Sequence, residues 1–157
     1  MKVFHGSFIA IEKPEIIISK FPKDFGDGFY CTKIEEQGVR WSSRYDTAVV
    51  SIYEYTPIKT LKMLVFEEMT EEWLDFIVEC RAGGKHNYDM VIGAMANDQI
   101  YNYISDFIDG IINREQFWVL AKFKHPTHQV CFCNDKALTT IHFIETKIIN
   151  NYGRQRR

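Results

Sequence analysis

Residues 24–32 carry the sequence DFGDGFYCT, in which two glycines precede a short aromatic run. Paired glycines favour a loop, and the run from Phe29 to Thr32 is typical of a strand. Residues 33–44 then suit a helix, for which Thr32 is a plausible N-cap. This stretch therefore predicts a loop, a strand and a helix in immediate succession.

The rest of the chain mixes strands and helices without the regular alternation of a doubly wound parallel sheet. Further strands are predicted at 1–8, 16–18, 47–55, 61–66, 88–95, 130–133 and 142–149. Further helices are predicted after the cap residue Thr70, from Asp98, and after the capping pair Asn113 and Gln116, with a short helical turn from 134. The pattern predicts an α+β fold.

Length and composition indicate one folded domain. A chain of 157 residues fits a single domain, placed at 1–150, followed by a basic tail at 151–157. Hydrophobic residues make up 46% of the chain, which argues against disorder. The net charge of −2 argues against a general nucleic-acid binder.

The start of the chain and its cysteines favour a cytoplasmic protein. No signal peptide is recognisable before the polar residues 5–7, so the four cysteines are expected to be reduced thiols. Cys131 and Cys133 would share one face of a strand, but no further ligands stand at zinc-binding spacing, so no metal is expected. The apolar runs are shorter than the roughly 20 residues that cross a bilayer, so no membrane partner is expected.

Three segments carry residues suited to ligand binding. They are HGS at 5–7, DFGDGFYCT at 24–32 with Trp41 in the helix that follows, and HQVCFCNDKAL at 128–138. In the first segment, Gly6 would let a ligand touch bare backbone at the end of a strand. In the third, Gln129 is a polar residue at the opening of a late strand.

In order and spacing these segments resemble the ADP-ribosyltransferase superfamily, in its poly(ADP-ribose)-polymerase-like or diphtheria-toxin-like branch. The resemblance is closest to a bacterial group of uncharacterised domains in that superfamily. Residues 5–7 match the opening His-Gly-Ser, and residues 25–30 match the Phe-Gly-x-Gly-aromatic-Tyr strand. Trp41 falls eleven residues after Tyr30, where the family has its second ring-stacking aromatic residue. Gln129 falls where the family has its catalytic glutamate.

The resemblance implies two small, mostly antiparallel sheets that form an NAD-binding cleft, with peripheral helices. It assigns the contacts to NAD, here a substrate, to His5, Gly6, Ser7, Gly28, Tyr30 and Trp41. Tyr30 and Trp41 would hold the cationic nicotinamide ring between them. The Gly6 backbone would bind its carboxamide, and His5 would bind the ribose on the adenosine side. A core histidine and core aromatic residues remain the ordinary alternatives for these side chains.

At the catalytic position the sequence departs from the family pattern. Cleavage of the glycosidic bond builds positive charge on the ribose, which a carboxylate stabilises. Gln129 can orient a ribose hydroxyl but cannot offset that charge. A strand-edge polar residue is the alternative for Gln129. Asp98, at a strand-to-helix corner, is the first choice for a substitute carboxylate, and a helix N-cap is its alternative role.

These residues give three hypotheses for function. The first is a mono-ADP-ribosyltransferase, a glycosyltransferase that acts on a macromolecular acceptor, protein or nucleic acid, as a bacterial toxin or defence effector with a possible antitoxin partner. The second is a catalytically silent module that binds NAD or ADP-ribose. The third is an NAD glycohydrolase. The loop at 122–128, in which His125 and His128 could steer or deprotonate an acceptor, would separate transfer from hydrolysis.

Overall fold

The computed structural model describes residues 1–18, 20, 23–95, 98–122, 124 and 127–149, apart from the side chains of Met95 and Asp98. The strands are β1 (Lys2–Ser7), β2 (Phe29–Cys31), β3 (Ala48–Tyr55), β4 (Met63–Phe66), β5 (Met90–Met95), β6 (Thr127–Phe132) and β7 (Ile141–Ile149). The helices are α1 (Glu35–Ser42), α2 (Glu71–Arg81), α3 (Asp98–Ile108), α4 (Arg114–Ala121) and α5 (Asp135–Leu138). The tail at 151–157 lies outside the described residues.

The strands form two small sheets, with the order β1-β3-β7 in the first and β2-β6-β5-β4 in the second. Every pairing is antiparallel except that between β4 and β5, which is parallel. The predicted α+β class with two mostly antiparallel sheets is confirmed. Among the described helices, none is both long and apolar enough to cross a membrane.

The second sheet is buried on both faces. Tyr30, Val91 and Cys131 lie side by side in the register, and they pack with α2 and α3 residues such as Trp73 and Ile104. The alternate residues of the same strands pack against the first sheet in a separate cluster. Helix α1 covers the outer face of the first sheet, where Phe4, Val50 and Ile52 are buried with Val39 against them. The layers are therefore α1, first sheet, second sheet, and the group α2–α4.

The two sheets are joined where β1 meets the end of β2. Phe4 and Thr32 exchange both backbone hydrogen bonds, with N···O distances of 2.8 and 2.9 Å. Beyond this junction β1 and β2 have no further bridge between them among the described residues. The diverging edges leave room for a cleft.

The predicted N-cap of the first helix is wrong. Helix α1 begins at Glu35, with Ile34 in the cap position and no side-chain cap. Pairing with Phe4 holds Thr32 extended, too far back to cap. The Thr32 hydroxyl instead accepts the Ile34 N–H at 3.1 Å and donates to Gln37 Oε1 at 2.9 Å.

Other local predictions fare better. Thr70 caps α2 by accepting the N–H of Trp73, and Asn113 and Gln116 form a reciprocal capping box at α4. The strand predicted at 16–18 is reduced to a single bridge between Ile17 and Gly28. Among the described residues only this pair joins the segment to the edge of the second sheet, so its β-branched residues do not form a ladder.

Candidate functional site

A cavity of about 600 Å³, called the cleft below, opens beside the junction of the two sheets. It is lined by six of the eight site residues singled out from the sequence, namely His5, Gly6, Ser7, Tyr30, Trp41 and Gln129. These residues come from β1, β2, α1 and β6, so the fold brings the three sequence segments together.

Gly6 is required by the packing of α1 on β1. A Cβ at this position would lie 2.3 Å from the Gly38 carbonyl oxygen and 2.7 Å from the Ser42 nitrogen. This close approach places Trp41 of α1 beside the cleft. Alternate residues of a strand direct their backbone groups to the same edge. Since Phe4 bonds away from β3, Gly6 two residues later also directs its N–H and C=O away from β3.

The His5 ring is fixed in one neutral form. Its Nδ1 lies 2.6 Å from the Tyr30 carbonyl oxygen, and a carbonyl only accepts, so Nδ1 carries the proton. The ring stacks on Phe29 with centroids 4.3 Å apart. Burial lowers the pKa of His5 below its ordinary value, outweighing the opposing effect of that hydrogen bond. The ring therefore keeps Nε2 as an acceptor at neutral pH.

Tyr30 is part of the wall of the cleft and also an anchor of the loop before it. Its hydroxyl donates to the Gly26 carbonyl at 2.6 Å and accepts the Phe25 N–H at 3.1 Å. Burial raises the pKa of the phenol, so the hydroxyl stays protonated. The Lys23 ammonium lies over the ring, 5.1 Å from its centroid. The Tyr30 ring can thus accept a cation, as the predicted nicotinamide contact requires.

Gln129 has a buried acceptor without a partner. The residue is only 5% exposed, and no described residue donates a hydrogen bond to its Oε1. It lies two residues before Cys131 on β6, and so on the same face as Cys131 and its register partner Tyr30. Buried polar atoms are normally hydrogen-bonded. The oxygen itself is almost fully buried, so a ligand donor in the cleft would reach it after a rotation of the Gln129 side chain.

Two of the predicted site residues are not among those lining the cleft. Gly28 directly precedes β2 and packs against the neighbouring strand β6. A Cβ there would be 2.5 Å from Cys131 Sγ and 2.7 Å from the Phe132 carbonyl oxygen. This close packing against β6 explains why residue 28 is a glycine. Asp98 begins α3 as predicted, but its side chain lies outside the described part of the structure.

Sequence reasoning missed Asp24, a carboxylate that lines the cleft. Its Oδ1 accepts a hydrogen bond from Arg81 Nε at 2.7 Å and forms an ion pair with Arg81 Nη2 at 2.6 Å. Both side chains are almost fully buried. Arg81 also lies over the Tyr101 ring at 4.0 Å. The partners are 57 residues apart, so no local pattern links them; the only signal was that Asp24 opens the quoted motif.

His128 faces away from the cleft. It alternates with Gln129 along β6 and lines a different cavity, of about 420 Å³, together with Lys33 and Gln37. Its Nδ1 is buried with no partner among the described residues. Burial, helped by the charge of Lys33, lowers the pKa of His128 to about 4. His125 lies outside the described residues, and His128 belongs to β6.

Replacing His128 with leucine should make the protein less sensitive to acid. In the unfolded chain the imidazole takes up a proton near its ordinary pKa of about 6.5, whereas the folded protein resists protonation down to about pH 4. The parent therefore loses stability as the pH falls through this window, and the variant lacks this contribution. Between pH 7 and pH 5, the urea midpoint of the parent should fall further than the urea midpoint of the variant. A constant difference between the two proteins would contradict this reading of His128.

Among the described residues, no group of three histidine, cysteine or acidic side chains is placed to hold a metal ion. Residues 1–143 match the family model of DUF3990, which is described as a protein of unknown function. No curated protein and no solved structure matches the chain. The chemistry of the cleft is therefore the basis for a functional assignment.

Proposed function

Because the chain belongs to the DUF3990 family of proteins of unknown function, we propose its activity from the cleft: NAD-dependent mono-ADP-ribosylation of a macromolecular acceptor in the cytoplasm. The observation that carries the proposal is the unpartnered, buried Oε1 of Gln129, in a cleft shared with His5, Gly6 and Trp41. An acceptor so placed calls for a hydroxyl donor, and the nicotinamide ribose supplies one.

The nicotinamide end is matched by backbone and rings. The Gly6 N–H and C=O point away from β3 and give the donor and the acceptor that a carboxamide needs. Trp41 is only partly buried, so its indole can offer a face to a flat ring. Tyr30 already carries the ammonium of Lys23, which a cationic ring would replace.

The rest of the dinucleotide finds suitable partners in the same cleft. His5 keeps Nε2 as an acceptor for a ribose hydroxyl on the adenosine side. Lys23 and Arg44 also line the cleft and supply positive charge for a pyrophosphate. This set of groups fits NAD better than a simple nucleoside, because it includes both cations and a bare backbone edge.

The electrostatics favour a single transfer over chain elongation. Gln129 can orient the ribose but offers no charge to the oxocarbenium-like transition state. The Asp24 carboxylate lines the cleft, but its charge is balanced by the buried Arg81. Asp98 remains the candidate for a further carboxylate. A weakly stabilised transition state is consistent with a slow enzyme that modifies a bound acceptor once.

A catalytically silent module that binds NAD or ADP-ribose is the second candidate. The neutral Gln129 is the observation that favours it, because its oxygen can hold a ribose without promoting cleavage. An NAD glycohydrolase is the third, with water in place of the acceptor. Labelled NAD separates the three when the full chain is incubated with it in a cell lysate. Label retained on protein or nucleic acid supports transfer, free ADP-ribose alone supports hydrolysis, and intact NAD supports binding only.

Binding of NAD should stabilise the fold, and Trp41→Ala should remove most of that effect. At a hundredfold excess over the dissociation constant the gain is about 2.7 kcal/mol. Loss of stacking should weaken binding while leaving the fold intact, because Trp41 is only partly buried. Trp118 on α4 is the matched control, a half-buried indole whose N–H bonds Glu71.

Thermal melts with and without NAD provide the measurement. The parent and Trp118→Ala should show the same upward shift in melting temperature, and Trp41→Ala should show little. Tyr30→Ala is a less informative variant, because the Tyr30 hydroxyl also holds the loop before β2. If folded Trp41→Ala is stabilised by NAD as strongly as the parent, the nicotinamide contact is placed wrongly.

A further inference from the structure

A second cavity, of about 510 Å³, lies at the far end of β6 from Gln129 and is called the thiol cavity below. Cys133, His86 and Cys80 are among its lining residues. The turn Gly83–Gly84 after α2 forms another side. None of these residues lines the cleft of the proposed function.

Two cysteine sulfurs are in contact at the wall of this cavity. Cys131 and Cys133 are two residues apart and so lie on the same side of the chain, and their Sγ atoms are 3.5 Å apart. Cys133 is the first residue after β6, and its N–H bonds the Asp89 carbonyl at 2.8 Å. Both thiols are free in the structure. A disulfide needs an S–S distance of about 2.05 Å, so the sulfurs must approach by rotation about their side-chain bonds and a small shift at the strand end.

The two thiols differ in access. Cys131 is fully buried between Tyr30 and Val91 of the neighbouring strands, whereas Cys133 is partly exposed and lines the thiol cavity. A small reagent that enters the cavity therefore meets Cys133 first. Cys131 can be reached only through Cys133 or by opening of the core.

The surroundings shift the pKa values of the two thiols in opposite directions. Contact with the Cys131 thiol, and then with the His86 ring, lowers the pKa of Cys133, while burial raises the pKa of Cys131. His86 is held in place by its Nε2–H, which donates to the Phe25 carbonyl at 3.0 Å, and by its Nδ1, which accepts the Tyr88 N–H at 3.1 Å. The accessible sulfur is thus the one that ionises more readily, and the buried sulfur the one that holds its proton more strongly. Thiolates are the nucleophiles in thiol chemistry.

We propose that Cys133 is an oxidation site for small hydroperoxides and that Cys131 is its resolving thiol. The Cys133 thiolate attacks one peroxide oxygen, the O–O bond breaks, and the released hydroxide or alkoxide is neutralised by the proton that the Cys133 thiol lost to solvent on ionisation. Cys133 is then a sulfenic acid. The Cys131 sulfur attacks the Cys133 sulfur, the S–O bond breaks, and the hydroxyl leaves as water with the Cys131 proton. Two thiols are oxidised to one disulfide, and one peroxide is reduced.

The test treats the full-length folded protein with hydrogen peroxide, blocks the remaining thiols with iodoacetamide, and analyses the peptides by mass spectrometry. The peptide that contains both Cys131 and Cys133 should lose two hydrogen atoms and remain unalkylated. Its oxidation should be about tenfold or more faster than that of Cys80, which lines the same cavity but has a pKa raised by burial to about 12. Cys80→Ser should leave the reaction unchanged and serves as the matched control.

The variants identify the role of each sulfur. In Cys131→Ser, Cys133 should form a sulfenic acid that the trapping reagent dimedone captures. In Cys133→Ser, the remaining Cys131 should not react with peroxide. Circular dichroism checks that each variant is folded. If Cys131→Ser does not fold, the result with the parent protein decides. The proposal is overturned if the folded parent forms no disulfide in this peptide. It is also overturned if Cys80 becomes the partner of Cys133, or if Cys133 oxidises no faster than Cys80.

Discussion

Replacing Gln129 with glutamate should raise the rate of nicotinamide release from NAD by about 10²–10³-fold, the usual worth of one preorganised electrostatic contact in a transition state. The two side chains have nearly the same shape, so the carboxylate would occupy the place of the buried amide. Positive charge that develops on the ribose would then face a negative group. The substitution replaces the Gln129 amide NH2 and keeps an acceptor at the Oε1 position, which has no partner among the described residues.

The matched control is Gln129→Leu, which has a similar volume and no acceptor. It should lower nicotinamide release below the parent rate, because the ribose hydroxyl loses its orienting contact. NAD-induced stabilisation should largely remain, since Trp41 and the Gly6 backbone are untouched. If neither folded variant changes cleavage or affinity, Gln129 is a structural strand residue, and Asp98 becomes the carboxylate to test.

Replacing Arg81 with methionine should lower the free energy of unfolding by about 3–5 kcal/mol. The substitution removes one partner of a nearly fully buried ion pair and leaves the Asp24 carboxylate without its main counter-charge. It also removes the contact of the guanidinium with the Tyr101 ring. Asp24 lines the cleft, so we expect the variant to bind NAD more weakly as well. Urea denaturation at pH 7 measures the loss.

Arg114 offers the control within the same chain. It forms ion pairs with Glu71 and Asp75, but all three side chains are substantially exposed. Arg114→Met should therefore cost about 1 kcal/mol or less. Adding Asp24→Asn to Arg81→Met should recover part of the lost stability, because the buried negative charge is removed. Equal costs for the Arg81 and Arg114 variants would show that the buried pair contributes no more than a surface pair.

Features encoded within a few residues were predictable, and those set by distant neighbours were not. The caps at Thr70 and Asn113 depend on backbone groups three residues away, so the sequence contains the whole interaction. Thr32 has the right chemistry for a cap, yet its pairing with Phe4, 28 positions earlier in the chain, decides its conformation. Periodicity carries no information about such tertiary contacts.

The candidate site divides in the same way. The resemblance of three short segments to a known family predicted that His5, Tyr30 and Gln129 would lie together, and all three line the cleft. The pairing of Asp24 with Arg81 depends on how α2 docks against the loop before β2. The second role of Gly6, as the contact point for α1, likewise appears only when the helix is in place.

The Lys23 side chain would compete with a cationic ligand for the Tyr30 ring. Its ammonium lies over the Tyr30 ring, so a cationic ring that bound on the same face would have to displace it. A cation–π contact at a partly exposed site is worth about 0.5–1 kcal/mol, which corresponds to a few-fold loss of apparent affinity. A ligand with a nearby negative group can offset that loss by giving the displaced ammonium a new partner. A ring ligand without a negative group cannot offset the loss in this way. If the cleft binds NAD as proposed, Lys23 would therefore disfavour free nicotinamide relative to the dinucleotide.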